Sequence, residues 1–228
     1  MTIALVTEGI SEYRITKHIL TKYFKGNEEL DINQMQPKLT EDEKKQADGG
    51  TNGGWVEVFK YCENQEELES IFLENDYLVV QIDTDRSELA PYNVPKQVAG
   101  IMKTPDILYK DVVERLIKSL PEGIKERFLD RVIFAICIET IECWLLPVFY
   151  TDKVHCCKTN NCLSHLNDIL RKKHLETIST DGDKNNARSV RAYQDILKKL
   201  NKKKEIEDCS VHNYGFKSFV QSLSNIFN

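Results

Sequence analysis

Two carboxylates separated by a single residue follow an apolar run in the sequence VVQIDTDRSEL at residues 79–89. Residues 77–82 have the composition of a buried strand, so Asp83 and Asp85 come directly after a strand. Two like charges this close repel each other and resist burial, and a divalent cation is the simplest group that would compensate them. Since extended residues two apart project to the same side, both side chains are expected to reach one ion.

Acidic side chains also follow two other apolar runs. Glu8 comes after residues 3–6, and Glu139 and Glu142 come after residues 131–138. Glu139 and Glu142 are three apart, so one helical turn would place them on one face. Because ligands of parallel sheets collect at the carboxyl ends of the strands, all five carboxylates are expected at one rim. The alternative is separate solvated acids in polar loops.

An oxygen-only ligand set favours magnesium, manganese or calcium over zinc. Two such ions, about 3.5–4 Å apart, can activate a water and stabilise the leaving oxygen of a phosphodiester. The acidic rim therefore predicts a site for divalent cations, of the kind that can support this chemistry.

The predicted strands and helices, which must position these acids, alternate along the chain. A polar, glycine-rich loop is expected at residues 26–54, and a second irregular loop at residues 87–104. Helices are predicted after the first strand and at residues 55–62, 65–74, 107–120, 161–173, 188–200 and 215–226, with a short strand near 209–211. This order predicts an α/β, Rossmann-like fold with a mostly parallel central sheet flanked by helices. Residues 1–150 are expected to form the metal-binding core, and residues 151–228 a helical C-terminal extension that completes the same domain.

The charge is divided unevenly along the 228 residues. Residues 1–150 carry 17 Lys and Arg against 27 Asp and Glu, whereas residues 151–228 carry 14 against 9. An acidic half for cations beside a basic half for phosphates is typical of a nucleic-acid enzyme, although a solvated surface explains the same numbers.

The apolar runs are short of the roughly 18–20 residues that a membrane span needs, so no membrane association is expected. The start, MTIALVTEGI, lacks the basic stretch of a signal peptide, which predicts a cytoplasmic protein. The seven cysteines are an odd number in a long chain, so reduced thiols are expected.

Taken in order, VTEGISE, VVQIDTD and IETIECWLL resemble the TOPRIM domain, which places a glutamate after its first strand and a DxD pair after a later one. Together with GGWVEVFKYCE and NYGFKSFVQSL, nearly the whole chain resembles a stand-alone bacterial TOPRIM-like family. That family is related to OLD (overcoming lysogenization defect) nucleases and to anti-phage effectors.

The resemblance implies a magnesium-dependent nuclease, with manganese as a substitute and endonucleolytic cutting favoured over exonucleolytic. Glu8 would be a metal ligand or general acid/base, and Asp83 and Asp85 would hold magnesium. Glu139 and Glu142 resemble the additional acids of OLD-like nucleases, which use a second metal. Lys184, in DGDKNNARS, is the candidate for the lysine that related nucleases carry late in the domain, and an ammonium there could neutralise developing phosphate charge.

The expected partners are a nucleic acid, DNA or RNA with tRNA among the candidates, and an ATPase. The chain contains no GxxxxGK[ST] motif, so the ATPase of OLD proteins would have to come from a partner. A homodimer stays open, and Arg86 beside the DxD pair would bind phosphate or pair with an acid. Two rival functions remain: a catalytically silent binding or sensor module, and a phosphoesterase acting on small molecules.

The sequence HCCKTNNCLSH raises a separate zinc hypothesis. Its soft ligands are His155, Cys156, Cys157, Cys162 and His165. The spacings lack a paired CxxC, and Cys162 also fits a buried helical face, so zinc there is the disfavoured alternative. Trp144 is expected in the core rather than as a platform for bases, and His212 and Tyr214 are given no role.

Overall fold

A computed structural model describes residues 1–26, 29–37, 54–180 and 184–227. Its central sheet has four parallel strands in the order β2-β1-β3-β6. The strands are β1 (Thr2–Val6), β2 (Asp31–Gln36), β3 (Tyr77–Asp83) and β6 (Val132–Cys137). Between β3 and β6, the two-residue strands β4 (Gln97–Val98) and β5 (Ile101–Met102) form an antiparallel hairpin. The α/β class and the parallel sheet are therefore confirmed.

Helices connect the strands and follow the last of them. In the described ranges, the helices before β6 are α1 (Ile10–Tyr23), α2 (Trp55–Glu63), α3 (Gln65–Glu74), α4 (Pro105–Ser119) and α5 (Glu122–Phe128). Those after it are α6 (Glu142–Leu145), α7 (Lys153–Cys156), α8 (Cys162–Lys172), α9 (Ala187–Leu197), α10 (Lys203–Ser210) and α11 (Tyr214–Ser224). Within the described ranges, no helix combines the length and the apolar character needed to cross a bilayer.

Both faces of the sheet are covered, because alternate residues of each strand project to opposite sides. Ile3 and Leu5 of β1 join one apolar cluster with residues of α1, α8, α9 and α11. Ala4 and Val6 join the other cluster, which contains residues of α2, α3, α4 and α5. Helices from residues 151–228 thus share a core with the first strand.

The chain changes direction between β1 and β3, which are neighbours in the sheet. From β1 the chain passes outward to β2, and from β3 it passes outward on the other side to β6. Ligands of open α/β sheets bind in the crevice outside such a switch point, at the carboxyl ends of the strands. Glu8 and Asp83 lie at the carboxyl ends of these two strands.

Three predicted elements differ from the structure. The irregular loop expected at residues 87–104 contains the short hairpin of β4 and β5. Within the expected loop at residues 26–54, Asp31–Gln36 forms the edge strand β2, and residues 38–53 lie outside the described residues. The short strand predicted near 209–211 is wrong, because Ser210 is the last residue of helix α10. DINQMQ lacks an apolar run, because only Ile32 and Gln36 of this strand are buried.

Gly215 allows α11 to approach β6 closely. A Cβ atom at residue 215 would lie 2.0 Å from the backbone oxygen of Ile136, and a backbone atom cannot rotate away. We expect Gly215→Ala to lower the free energy of unfolding by about 3 kcal/mol, the upper range for overpacking. Urea denaturation would measure the loss, with Gly123→Ala as a control because its Cβ would lie 3.6 Å from a flexible arginine. Equal stability of the two variants would contradict this close packing.

Candidate metal centre

Glu8 and Asp83 are joined by hydrogen bonds across the switch point. The backbone N–H of Asp83 donates to Glu8 Oε2 at 3.1 Å, and the backbone N–H of Glu8 donates to Gln81 Oε1 at 3.1 Å. Gln81 Nε2 in turn donates to Asp83 Oδ1 at 2.9 Å, and Asp83 is almost fully buried. The ends of β1 and β3 therefore hold these two carboxylates in fixed positions.

Glu12 is a third carboxylate of the cluster, and sequence reasoning did not select it. It lies in the first turn of α1, is 8% exposed, and acts electrostatically on both Glu8 and Asp83. A Cβ on Gly9 would lie only 2.4 Å from Glu12 Oε2, so the glycine leaves space for this carboxylate. The available signal was the four-residue spacing of Glu8 and Glu12 in EGISE, which one helical turn can bring together.

Glu142 and Lys184 complete the inner part of the cluster. Lys184 Nζ lies 2.8 Å from Glu142 Oε1 and 4.0 Å from Glu12 Oε1. Tyr193 of α9, a second residue missed by sequence reasoning, donates its hydroxyl to Glu142 Oε1 at 2.6 Å. Glu142 is 0% exposed, and its Oε2 atom has no hydrogen-bond partner among the described residues. A buried carboxylate oxygen without a partner is available to a cation.

Asp85 and Glu139 lie at the solvent side and do not have the geometry predicted for them. The extended backbone ends at Asp83, so Asp85 is in the following turn, with Arg86 Nε 3.9 Å from its Oδ2. Glu139 precedes helix α6 and has a positive φ of 69°, so the shared helical face predicted for Glu139 and Glu142 is wrong. Lys96 Nζ donates to Glu139 Oε2 at 3.1 Å.

The backbone at Glu139 is held by the turn after β3. The N–H groups of Thr84 and Asp85 both donate to the carbonyl of Glu139 at 3.0 Å, and Thr84 Oγ1 accepts from the Glu139 N–H at 2.7 Å. These bonds offset the cost of a left-handed conformation, which a residue with a Cβ adopts reluctantly. Glu139 therefore occupies a fixed position outside the inner carboxylates.

We refer to Glu8, Glu12, Asp83, Asp85 and Glu142 as the acidic site. Burial, followed by the charge of Glu12, raises the pKa of Glu8 to about 8. Burial also raises the pKa of Glu12 and, together with the charge of Glu8, holds that of Asp83 well above its usual range. The pKa of Asp85 is raised by burial against the opposing charge of Arg86.

The pKa values of Glu142 and Lys184 shift so that the charged form of each group is favoured. Burial acts to raise the pKa of Glu142, but the charge and hydrogen bond of Lys184 outweigh it and hold this pKa below its usual value. Burial acts to lower the pKa of Lys184, but Glu142 and Glu12 outweigh it and raise that pKa. At neutral pH the pair is ionised, and negative charge in the rest of the acidic site is disfavoured without a further cation.

We expect the metal-free protein to lose stability as pH rises from about 5 to about 8. In this window folded Glu8 retains a proton that unfolded Glu8 has released, so the free energy of unfolding falls with rising pH. The loss of unfolding free energy caused by Glu8 is absent below about pH 4.5 and complete above about pH 8. It is on the order of a few kcal/mol. The opposite shift of Glu142 acts below this window, because its folded pKa is lowered.

Denaturant midpoints measured with a chelator at about pH 5.5 and about pH 8.5 would check this dependence. Glu8→Gln should reduce the dependence on pH, because the amide does not titrate, whereas Glu12, Asp83 and Asp85, whose pKa values burial also raises, should retain part of it. A wild-type midpoint that is constant or rises over this range would contradict the raised pKa.

The lysine-rich run at residues 198–204 lies beside the C-terminal half of α1. His18 Nε2 is 2.9 Å from the Leu200 carbonyl, and Lys203 lies over the ring of Tyr23, the last residue of α1. Because α1 rises about 1.5 Å per residue, Lys203 is about 16 Å along the helix axis from Glu12, and Leu200 is about 9 Å. Lys203 is therefore not a direct phosphate clamp for the acidic site.

The predicted zinc ligands are separated. Cys162 forms a disulfide with Cys143, so the prediction of reduced thiols is wrong for this pair, and Cys162 is not available as a ligand. His155 Nδ1 pairs with Asp152 at 2.7 Å. Cys156 and Cys157 instead lie close to His212. The two half-cystines are 19 residues apart and meet only because α8 packs on α6, which the spacing does not reveal.

Trp144 lies in the core, as predicted. Its side chain is 0% exposed, and its ring stacks on Phe216 at 4.7 Å and on Phe219 at 5.6 Å between centroids. The aromatic contacts fix α6 against α11 and thereby support the segment that carries Glu142.

Comparison of the chain with models of protein families, with curated proteins and with solved structures found no match. No relative thus supplies a function for the acidic site, and its chemistry follows from its own residues. The resemblance to TOPRIM and OLD proteins stays a prediction.

Proposed function

We propose that this chain is a metal-dependent hydrolase of the TOPRIM type that cleaves phosphodiester bonds in nucleic acid. The strongest support is the excess of carboxylates over cations at the candidate metal centre. Four buried or partly buried carboxylates meet at the switch point of the sheet, and within the described part of the chain Lys184 is the cation whose charge acts on all four. The four are Glu8, Glu12, Asp83 and Glu142. Such a cluster is costly unless a further cation binds.

The donor atoms fit a hard divalent cation. All are carboxylate oxygens, which Mg²⁺ and Mn²⁺ prefer, and Oε2 of Glu142, which accepts no hydrogen bond from the residues that the structure describes, is a ready ligand atom. Glu8, Glu12, Asp83 and Glu142 would hold the ion, with Asp85 at the solvent side. A divalent ion there supplies positive charge for the attacking water and for the leaving oxygen of a phosphodiester.

The residues around the carboxylates orient them. Gln81 fixes one oxygen of Asp83, and the N–H of Ile141 donates to the other at 3.4 Å. Lys184 and Tyr193 both bind Oε1 of Glu142, so Oε2 remains available to a metal ion. Arg86, whose side chain is 65% exposed beside Asp85, is placed to contact a substrate phosphate.

The remaining parts of the proposal rest on the resemblance. We propose endonucleolytic cutting of DNA or RNA by a regulated anti-phage effector in the cytoplasm, acting with an ATPase partner. A nucleic-acid substrate would approach along the solvent side of the acidic site, where Asp85 and Glu139 are exposed by about a third. The distant lysine-rich run would contact only a long substrate or a partner.

The decisive experiment is cleavage of plasmid, single-stranded DNA and total RNA, each with Mg²⁺, Mn²⁺ or EDTA. Wild-type protein is expected to cut at least one substrate with metal and none with EDTA, and Asp83→Asn/Asp85→Asn should cut none. A parallel set of small phosphoesters would detect a small-molecule phosphoesterase. Mg²⁺ titration by calorimetry addresses the other rival: binding without cleavage of any substrate would indicate a binding module, and absence of binding would refute the metal centre itself.

A further inference from the structure

Two thiols and an imidazole meet on the surface of the helical half of the chain. Cys156 Sγ lies 3.6 Å from Cys157 Sγ and 3.3 Å from His212 Nδ1, and all three atoms lie within 4.8 Å of one another. We refer to these three residues as the thiol–imidazole cluster. None of them belongs to the acidic site.

Two of the three separations are close to the edges of a zinc coordination tetrahedron, and the third, between Cys157 Sγ and the His212 ring nitrogen, is within 4.8 Å. With Zn–S bonds of about 2.3 Å and a Zn–N bond of about 2.05 Å, tetrahedral angles place two sulfurs about 3.8 Å apart, and a sulfur and a nitrogen about 3.6 Å apart. The observed distances are within a few tenths of an ångström of these values. Small movements of flexible side chains would suffice to complete the geometry.

The cluster joins two parts of the chain that are far apart in sequence. Cys156 ends α7 and is buried, whereas His212 lies in the turn between α10 and α11. That turn is fixed, since Asn213 Oδ1 accepts from the N–H of Phe216. The N–H of Cys156 donates to the carbonyl of Asp152 at 3.0 Å, which fixes the other side. The end of α7 and the turn before α11 are therefore both held in place, so metal binding requires little further ordering of the backbone.

We propose that Cys156, Cys157 and His212 bind a zinc ion through Sγ, Sγ and Nδ1, with water as the fourth ligand. Two thiolates and one imidazole are a donor set for zinc and not for magnesium. Cys157 is exposed, so the fourth position faces solvent. The ion fastens α7, which follows the segment carrying Glu142, to the turn before α11. This site is independent of the proposed nuclease function.

Co²⁺ titration of the full chain under anaerobic conditions tests the proposal, with excess Mg²⁺ to fill the acidic site. Wild-type protein is expected to bind one Co²⁺ with the near-ultraviolet charge-transfer band of a cobalt–thiolate bond and the visible bands of tetrahedral cobalt. Zn²⁺ should displace it. Binding to the acidic site would give no thiolate band, so failure of this proposal is distinguishable from failure of the nuclease proposal.

The informative variants are Cys157→Ser and His212→Gln, because both residues are at least partly exposed and their replacement should preserve folding. Each is expected to weaken Zn²⁺ binding by at least about 100-fold, since losing even a supporting partner of a ligand costs 10- to 100-fold. Cys209→Ser is the matched control, a cysteine three residues before His212 and outside the cluster, and it should bind as wild type does.

Thermal unfolding gives a second measurement. Zn²⁺ should raise the midpoint for wild type and Cys209→Ser but not for Cys157→Ser, because only a ligand of the folded state stabilises it. A wild-type titration without the thiolate band, or undiminished Zn²⁺ affinity in both ligand variants, would overturn the proposal.

Discussion

Replacement of Lys184 by methionine is expected to lower the free energy of unfolding of the metal-free protein by about 3 kcal/mol at neutral pH. Lys184 is the cation that binds the carboxylate of Glu142, and Glu142 is 0% exposed. Methionine has similar length but no charge, so Glu142 would be left ionised and buried with the neutral hydroxyls of Tyr193 and Thr140 as donors. Removing one member of a buried pair costs far more than the pair itself contributes.

The double variant Lys184→Met/Glu142→Gln separates this charge effect from a packing effect. It removes both charges and should recover most of the lost stability at neutral pH. In the single variant Glu142 loses the interaction that lowers its pKa, so burial raises that pKa and acidification should restore stability. Guanidinium denaturation at several pH values would measure both effects.

Lys198→Met is a suitable control, because Lys198 is 73% exposed and pairs with Asp195 three residues away on the surface. It should change stability by no more than about 0.5 kcal/mol. If Lys184→Met were as stable as this control, or if the double variant were as unstable as the single one, the Glu142–Lys184 pair would not have the assigned importance.

The strands β1, β3 and β6 and the carboxyl ends of the two central strands could be predicted because the signal is local. Apolar runs mark β1, β3 and β6, and the acids directly after them must lie at the carboxyl edge of a parallel sheet. The placement of Glu8 and Asp83 follows from that rule alone. Lys184 was found only through the resemblance, since nothing near residue 184 indicates that it returns to Glu142.

The errors arose where long-range contacts decide local structure. The spacing of Glu139 and Glu142 favoured one helical turn, but hydrogen bonds from the turn after β3 hold Glu139 in a left-handed conformation outside the helix. Glu12 looked like an ordinary polar residue in the first turn of a helix. Its burial depends on Asp83, Glu142 and Lys184, which arrive from distant parts of the chain.

Glu12→Gln and Glu139→Gln make the same chemical change at two positions that the structure separates. We expect Glu12→Gln to lower metal-dependent cleavage by about 10²- to 10³-fold, the range found when one stabilising group of a preorganised site is removed. Glu139→Gln should lower it by less than about tenfold, because Glu139 is partly exposed and bound to Lys96 outside the inner carboxylates. Initial rates with saturating Mg²⁺ would give the comparison.

Stability measurements distinguish a lost ligand from a damaged fold. Glu12 is a buried like charge beside Glu8 and Asp83, so its neutralisation should make the metal-free protein more stable while activity falls. A variant with a damaged fold would instead lose both stability and activity. Glu12→Gln should also weaken Mg²⁺ binding and bring the pKa of Glu8 closer to its usual value, because the charge of Glu12 is a direct cause of that shift. If Glu139→Gln were instead the more damaging change, the metal would lie at the solvent side with Asp85, and the inner carboxylates would not be its ligands.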